Sequence, residues 1–369
     1  INAGITKYVS ENSENEKQYT PFLGTGFWIT IVLSVIISLV LILGAGYFSK
    51  SILLDEQYKA VFYIFGITII FYSLTTLLIS VINGFKEYKK YVIINIAGSI
   101  IGLIFSILLA VNFGVFGALV AAVTFQSVVF LLILGILNKA SWFNWHRIVR
   151  SFSKKVAIQL SHYTLMALAS AITIPAGQLI VRNFIAKQYS IAEAGIWEGM
   201  NRISGMYLMV ITVSLSVYYL PRLAELKTKE ALREEVIKVY KIIIPFLILC
   251  CIGIYTFRVL VIKLLFTGEF SGMSELFAFQ LLGDFLKMAG WVLGYLLIAK
   301  AMSRIYIIME LVNFALLIVS CYFLVKAKGP VGATIGYAIV YLNYLIVLLI
   351  VFRKLLFKRN STAVEDNNE

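Results

Sequence analysis

The sequence predicts an all-α polytopic membrane protein made of two related helical bundles, and three observations predict it. Apolar runs of about 20 residues, enough to cross ~30 Å of hydrocarbon as helix, recur along a chain that is 60% hydrophobic and only 14% charged. Two stretches 215 residues apart read alike without a gap. Lys89-x-Tyr91, Asn95 and Gly114-Val115-Phe116-Gly117-Ala118 align with Arg304-x-Tyr306, Glu310 and Gly329-Pro330-Val331-Gly332-Ala333. Basic residues, finally, crowd into alternate loops. A repeat of this period inside a membrane chain marks a duplicated bundle, a pattern frequent in transporters. The apolar runs are continuous rather than alternating, which excludes a β-barrel.

Ten runs stand near 26–48, 60–82, 91–111, 115–137, 156–181, 191–218, 242–264, 273–298, 305–325 and 332–352. Of the 32 basic residues, 22 fall in one set of alternate loops and seven in the other. The richer set, which includes Lys86, Arg147, Arg222, Arg304 and Arg353, is assigned to the cytoplasm. The net charge of +13 is thereby a topology signal and gives no reason to invoke nucleic acid. Shifting the second half back by 215 residues lays 242–264 on 26–48 and Arg222 on Lys7, and leaves 156–181 and 191–218 without counterparts. The chain opens on Ile1 at the end of an apolar stretch. The expectation is that ~50 residues and two helices are missing before it. The intact protein would then have six plus six helices related by a pseudo-two-fold along the membrane normal, ten of them in this chain.

The predicted organisation follows in order. Residues 1–137 form the N-terminal bundle, from the end of helix 2 to helix 6. Residues 138–155 form a cytoplasmic linker, where Trp142, Phe143 and Trp145 among basic residues suit either a membrane-surface segment or a solvated connector. Residues 156–352 form the C-terminal bundle, helices 7 to 12, and 353–369 a cytoplasmic tail. Pro175 is expected to bend helix 7. Glu225→Lys229 and Glu234→Lys238 have the favoured i,i+4 order and support helix continuing out of the membrane.

The remaining basic residues, Arg202, Arg258 and Lys287, lie inside apolar runs, as do Glu198, Asp284 and Glu310. All six belong to the second half, whereas the first-half helices offer only polar groups such as Tyr72, Asn95 and Gln126. A charge on a lipid-facing helix costs ~2.5–3.5 kcal/mol or more, so these groups are expected to face protein or water. Glu198 with Arg202, and Asp284 with Lys287, share helix faces. At 1.5 Å per residue, Arg202 lies ~18 Å and Asp284 ~17 Å deep. Each pair alone could merely neutralise itself and fasten helices. Two pairs at matched depth, with Arg258, point to a charged, water-filled lumen.

Cys250, Cys251 and Cys321 are embedded in apolar runs, and only His146 and His162 could join them, so no metal site, disulfide framework or cofactor is indicated. No phosphate-cradling glycine loop followed by Lys-Ser/Thr occurs, which excludes nucleotide hydrolysis by that route.

Leu264-Leu265-Phe266-Thr267-Gly268-Glu269-Phe270, then Leu276-Phe277-Ala278-Phe279-Gln280-Leu281-Leu282-Gly283-Asp284-Phe285-Leu286-Lys287, resembles the lipid-linked oligosaccharide flippases of bacterial surface polysaccharide assembly. These are the Wzx-type O-antigen and enterobacterial common antigen translocases of the multidrug/oligosaccharidyl-lipid/polysaccharide exporter superfamily. Ala194-Gly195-Ile196-Trp197, Arg202-Ile203-Ser204 and Tyr218-Tyr219-Leu220-Pro221-Arg222-Leu223 look like that family's eighth helix and its cytoplasmic exit. The helix count and the basic-loop asymmetry put both termini in the cytoplasm, and the resemblance implies alternating access in the bacterial inner membrane. It also implies a cationic cavity holding an anionic pyrophosphate-sugar head while the polyprenyl tail stays among membrane lipids. A polysaccharide polymerase complex is an implied partner.

On that reading the substrate-binding residues are Arg202, Lys287, Arg258, Glu198, Asp284 and Glu310. Arginine suits phosphate through its forked donor set, and Lys287 adds a point charge. The alternative is a multidrug or organic-cation antiporter of the same superfamily, which would favour a net negative cavity. A membrane polymerase or ligase would need long periplasmic loops, and those here run to ~10 residues.

Overall fold

The computed structural model describes residues 1–53, 55–137, 140 and 142–356. The tail expected beyond residue 356 and parts of the linker lie outside them. The first helices are α1 (Asn2–Glu11), α2 (Glu16–Leu43), α3 (Ala45–Ile52), α4 (Lys59–Gly84) and α5 (Tyr88–Leu137). A short α6 (Trp145–Arg150) leads into α7 (Lys154–Gln188), α8 (Ile191–Ser214) and, through a π-turn at Leu215–Tyr219, α9 (Leu220–Glu225). Then come α10 (Lys229–Thr256), α11 (Arg258–Leu265), α12 (Phe277–Ala299), α13 (Ser303–Lys328), α14 (Pro330–Val351) and α15 (Arg353–Leu356). Among the described residues nine helices are long and apolar enough to cross a bilayer. The protein is thus an all-α multi-pass membrane protein.

Local chemistry explains where the helices start. The Asn15 side chain accepts the Lys17 amide at 3.1 Å, and Glu16 places negative charge in the first turn of α2. Ser190 accepts from Glu193 N at 3.1 Å ahead of α8, and Thr228 from Ala231 N at 3.3 Å ahead of α10. Each cap satisfies an amide that has no partner within its helix. Pro175 lies inside α7, which continues as one helix through it.

The 50 residues of α5 would make a straight rod of ~75 Å, more than twice the hydrocarbon thickness. Gly114 prevents that. Its φ of 57° and ψ of −138° lie in a region essentially closed to side-chain-bearing residues, and the chain turns back there. The two arms then touch, with Val129 against Gly98 and Phe125 against Gly102. Gly329, between α13 and α14, repeats the conformation at φ 61°, ψ −149°.

The 215-residue spacing recurs elsewhere in the backbone. Lys86 and Ala301 both have positive φ, 57° and 54°. Lys86 N bonds Asn83 O at 3.0 Å and Glu87 N bonds Ile82 O at 3.1 Å; Ala301 N bonds Ile298 O at 3.1 Å and Met302 N bonds Leu297 O at 2.8 Å. A Cβ on Gly117 would strike Leu109 O, and one on Gly332 would strike Leu324 O.

The chain divides into two compact units, Ile1–Thr164 and Leu165 onward. The division falls within α7, so the first residues of that helix pack with the first unit. In the first unit, α4 packs on α2 and α5 around Leu74, Leu77, Val81, Ile94 and Ile133. In the second, α12 packs on α14 and α10, with Phe277, Leu281, Met200 and Val325 in the core.

Candidate functional site

A cavity of about 480 Å³ opens inside the second unit. Five helices line it: α7 with Thr173 and Gln178, α8 with Trp197 and Asn201, α12 with Lys287 and Trp291, α13 with Glu310 and Asn313, and α14 with Tyr337 and Tyr341. Its size falls within the ~300–1,000 Å³ usual for small-molecule sites. Lys287 comes ten residues after Phe277, the start of the 23-residue α12. At 1.5 Å per residue that is ~15 Å from the helix start, near its midpoint.

Lys287 is framed by aromatic rings. Its ammonium stands 5.2 Å from the Trp291 centroid, 5.3 Å from Tyr341 and 5.8 Å from Tyr337. Ring faces attract a cation electrostatically, by ~2 kcal/mol where water is excluded. They offset part of the cost of holding a charge at this depth without consuming its N–H donors. The ammonium therefore remains able to bind an anion.

Asp284 does not form an ion pair with its i+3 neighbour. It is fully buried and accepts hydrogen bonds from Ser204 Oγ at 2.7 Å, Tyr337 OH at 2.8 Å and Tyr207 OH. Gln280 Nε2 donates to Ser204 Oγ at 3.1 Å. The carboxylate thus sits behind the cavity wall and fastens α8 and α14 to α12. Two glycines make this approach possible: a Cβ on Gly283 would lie 2.3 Å from the Tyr337 ring, and one on Gly290 2.7 Å from the Tyr344 ring. These two glycines therefore admit tyrosines of α14. Across the cavity, Glu310 accepts from Thr173 Oγ1 at 3.2 Å, and Asn313 Oδ1 accepts from Asn343 Nδ2 at 3.3 Å.

Of the six residues predicted for the site, Lys287 and Glu310 face this cavity and Asp284 stands directly behind it. The other three lie outside its lining. Glu198 and Arg202 pair loosely at 3.9 Å, with the Arg202 side chain 72% exposed, a geometry that contributes little to stability. Arg258 begins α11, where its guanidinium bonds Tyr255 O at 2.8 Å and stacks 4.4 Å over the Tyr255 ring. The aromatic frame escaped sequence reasoning. Its signals were Trp291 four residues after Lys287, and the i, i+4, i+7 stripe of Tyr337, Tyr341 and Tyr344 on α14.

Residues 1–275 match a family model described as polysaccharide biosynthesis protein. The lipid III flippase of Escherichia coli (strain K12) is 33% identical over 341 residues, covering 92% of this chain and 82% of that protein. The lipid III flippase of Shigella flexneri matches to the same extent. Among solved structures, an outward-facing multidrug resistance MATE family transporter of the MOP superfamily aligns with a TM-score of 0.83. The identity is 14%, over 95% of this chain and 82% of that one. A MOP superfamily transporter from Pyrococcus furiosus, described as having a binding pocket of reversed polarity, aligns with a TM-score of 0.75 at 14% identity, over 96% of this chain and 84% of that one. The structural likenesses establish the transporter fold, and the sequence likenesses establish the lineage. The chain belongs to the polysaccharide biosynthesis protein family.

Proposed function

We propose that the chain is a flippase, not an enzyme. It moves a polyprenyl-pyrophosphate-linked oligosaccharide, such as an O-antigen or common-antigen repeat unit, from the cytoplasmic to the periplasmic leaflet by alternating access. One observation carries the reading: Lys287, midway along α12, opens onto a cavity walled by aromatic rings and side-chain amides. A diphosphate is held by charge-assisted hydrogen bonds from a cation, which Lys287 offers. Sugar rings need aromatic faces and hydrogen-bonding amides, which Trp291, Tyr341, Asn201 and Asn313 supply. Glu310 accepts from sugar hydroxyls. Arg202 lies outside the cavity lining, on an exposed part of α8, and is proposed as a second cation met by the head group on its way to Lys287; Asp284 shapes the wall. The polyprenyl tail stays in lipid. On this reading the organisation expected from the sequence, two bundles joined by a linker at 138–155 with both termini cytoplasmic, is part of the proposal. The partner this activity calls for is a polymerase that consumes the delivered repeat unit on the far leaflet.

The kinship with lipid III flippases supports this reading. The competing one, an organic-cation antiporter, draws on Glu310 and the aromatic walls, but Lys287 would repel its substrate. Charge reversals decide the matter. Lys287→Glu and Arg202→Glu, each expressed in a strain lacking the gene, should abolish surface polysaccharide. Lipid-linked intermediate should pile up on the cytoplasmic leaflet while membrane levels of the protein stay unchanged. Wild-type polysaccharide output from both variants would remove these residues from the head-group site. Uptake of organic cations by reconstituted vesicles would favour the antiporter.

A further inference from the structure

In the first unit a strap, none of whose residues lines the cavity, crosses α2. One stripe of α2, residues 16, 20, 24 and 28, is covered by the segment 147–151. Arg147 pairs with Glu16, Ser151 Oγ bonds Thr20 O at 3.0 Å, and the Trp28 indole N–H bonds Val149 O at 2.8 Å. Gly24 permits the crossing, since a Cβ there would lie 2.3 Å from Ile148 O. Asn144 caps α6 through the Arg147 amide at 3.2 Å, and Ser153 N bonds Thr25 Oγ1 at 2.9 Å. Phe27 and Phe143 stack edge-on against Trp145 from either side. The strap is therefore held at a fixed height along α2.

That height is informative. On α2, residues 22–26 are buried. From Trp28 onward the helix exposes Val32, Ile36, Leu39 and Val40, each more than half exposed. Exposed apolar side chains of this kind belong in hydrocarbon, and a tryptophan at their margin belongs at the level of the lipid headgroups. The strap carries His146, Arg147, Arg150, Lys154 and Lys155 at that margin, all exposed, with Phe152 56% and Val149 39% exposed among them. Arg147 is paired with Glu16; no Asp or Glu occurs anywhere between Glu87 and Glu193, so no carboxylate of that stretch offsets Arg150, Lys154 and Lys155.

We propose that this strap is a docking surface for anionic phospholipid headgroups. Arg150, Lys154 and Lys155 engage the phosphates, while Phe152 and Val149 insert into the acyl boundary. Basic residues at a membrane surface attract anionic lipid, and apolar side chains beside them add area to bury. The consequence is that the start of α7, which farther along lines the cavity, is tied to the headgroup plane.

The test uses the full chain with Trp197→Phe and Trp291→Phe, which leaves Trp28, Trp142 and Trp145 of its five tryptophans as reporters around the strap. The protein is reconstituted into phosphatidylcholine vesicles containing a fixed minority of brominated lipid, either phosphatidylglycerol or phosphatidylcholine. The anionic lipid should quench at least about threefold more effectively, and the difference should shrink in high salt. The triple variant Arg150→Gln, Lys154→Gln, Lys155→Gln should erase the difference. The charge-keeping triple Arg150→Lys, Lys154→Arg, Lys155→Arg should preserve it. Equal quenching by the two lipids, or a preference that survives the glutamine triple, would overturn the proposal. Loss of the preference in the charge-keeping triple would do the same, because it would trace the effect to disturbed folding.

Discussion

The two copies of the repeat share a backbone and divide the chemistry. At the 215-residue spacing, positive φ recurs at Lys86 and Ala301 and at Gly114 and Gly329. The side chains on that frame differ at each position that matters for the cavity. Asp284 corresponds to Ile69, Lys287 to Tyr72, Glu310 to Asn95, Tyr337 to Ala122 and Tyr341 to Gln126. The seam between helices differs too. In the first copy Thr75 Oγ1 bonds Gln126 O at 3.1 Å and Ser127 Oγ bonds Thr68 O at 2.8 Å, which laces α4 to α5. In the second copy the partners of Thr68 and Thr75 are Gly283 and Gly290, notches that receive Tyr337 and Tyr344. Hydroxyl-to-carbonyl lacing closes one seam. Rings seated in notches hold the other while leaving space beside Lys287.

The largest effect on transport should come from moving the chemistry between copies. Lys287→Tyr gives the second copy the residue of the first. It removes a charge-assisted contact of ~1.5–3 kcal/mol, a loss of about 10- to 100-fold in transport. Tyr72→Ala should cost less than about threefold, the margin left by a site without a charged contact. Polysaccharide export at matched protein levels checks both. Equal losses would break the division of labour between the copies.

Asp284 gives the next effect. In Asp284→Leu, which makes the second copy apolar as Ile69 makes the first, the hydroxyls of Ser204, Tyr207 and Tyr337 lose their acceptor. Unsatisfied buried donors cost ~1–3 kcal/mol each, so stability should fall by about 3 kcal/mol or more. Asp284→Asn keeps an acceptor oxygen and should recover part of it. Unfolding midpoints in mild detergent read the difference. A Leu variant as stable as wild type would show that this carboxylate fastens nothing.

Much of this was legible in the sequence because membrane solvation writes it there. Apolar runs marked the spans, and the gapless repeat located both glycine turns, since only glycine suits that φ and ψ. Lys287 and Glu310 were legible because charge at that depth needs a reason. The partners of Asp284 were not. Spacing pairs it with Lys287 on one helix, but tertiary packing brings three hydroxyls from α8 and α14, and a buried carboxylate takes the donors in reach. Arg202 shows the same limit in reverse. Its period places it beside Glu198, yet the direction in which that face looks is decided by packing that the period does not encode.

Smaller effects test the shared frame itself. Gly114→Ala and Gly329→Ala should each cost about 2 kcal/mol, because both force a Cβ into a backbone region open essentially to glycine alone. The two losses should be alike, whatever their neighbours do. Lys86 and Ala301 present the opposite case, side-chain-bearing residues at positive φ. A left-handed residue of that kind costs ~1–2 kcal/mol. Substituting glycine relieves that cost but adds ~0.5–1 kcal/mol of chain entropy to be lost on folding. Ala301→Gly should therefore stabilise the protein by about 0.5 kcal/mol, read as a small rise in detergent unfolding midpoint with transport unchanged, and Lys86→Gly by less, because the interactions of its side chain are lost as well. A gain at one position and a loss at the other would mean that matching dihedrals carry different loads, and the equivalence of the two frames would then stop at geometry.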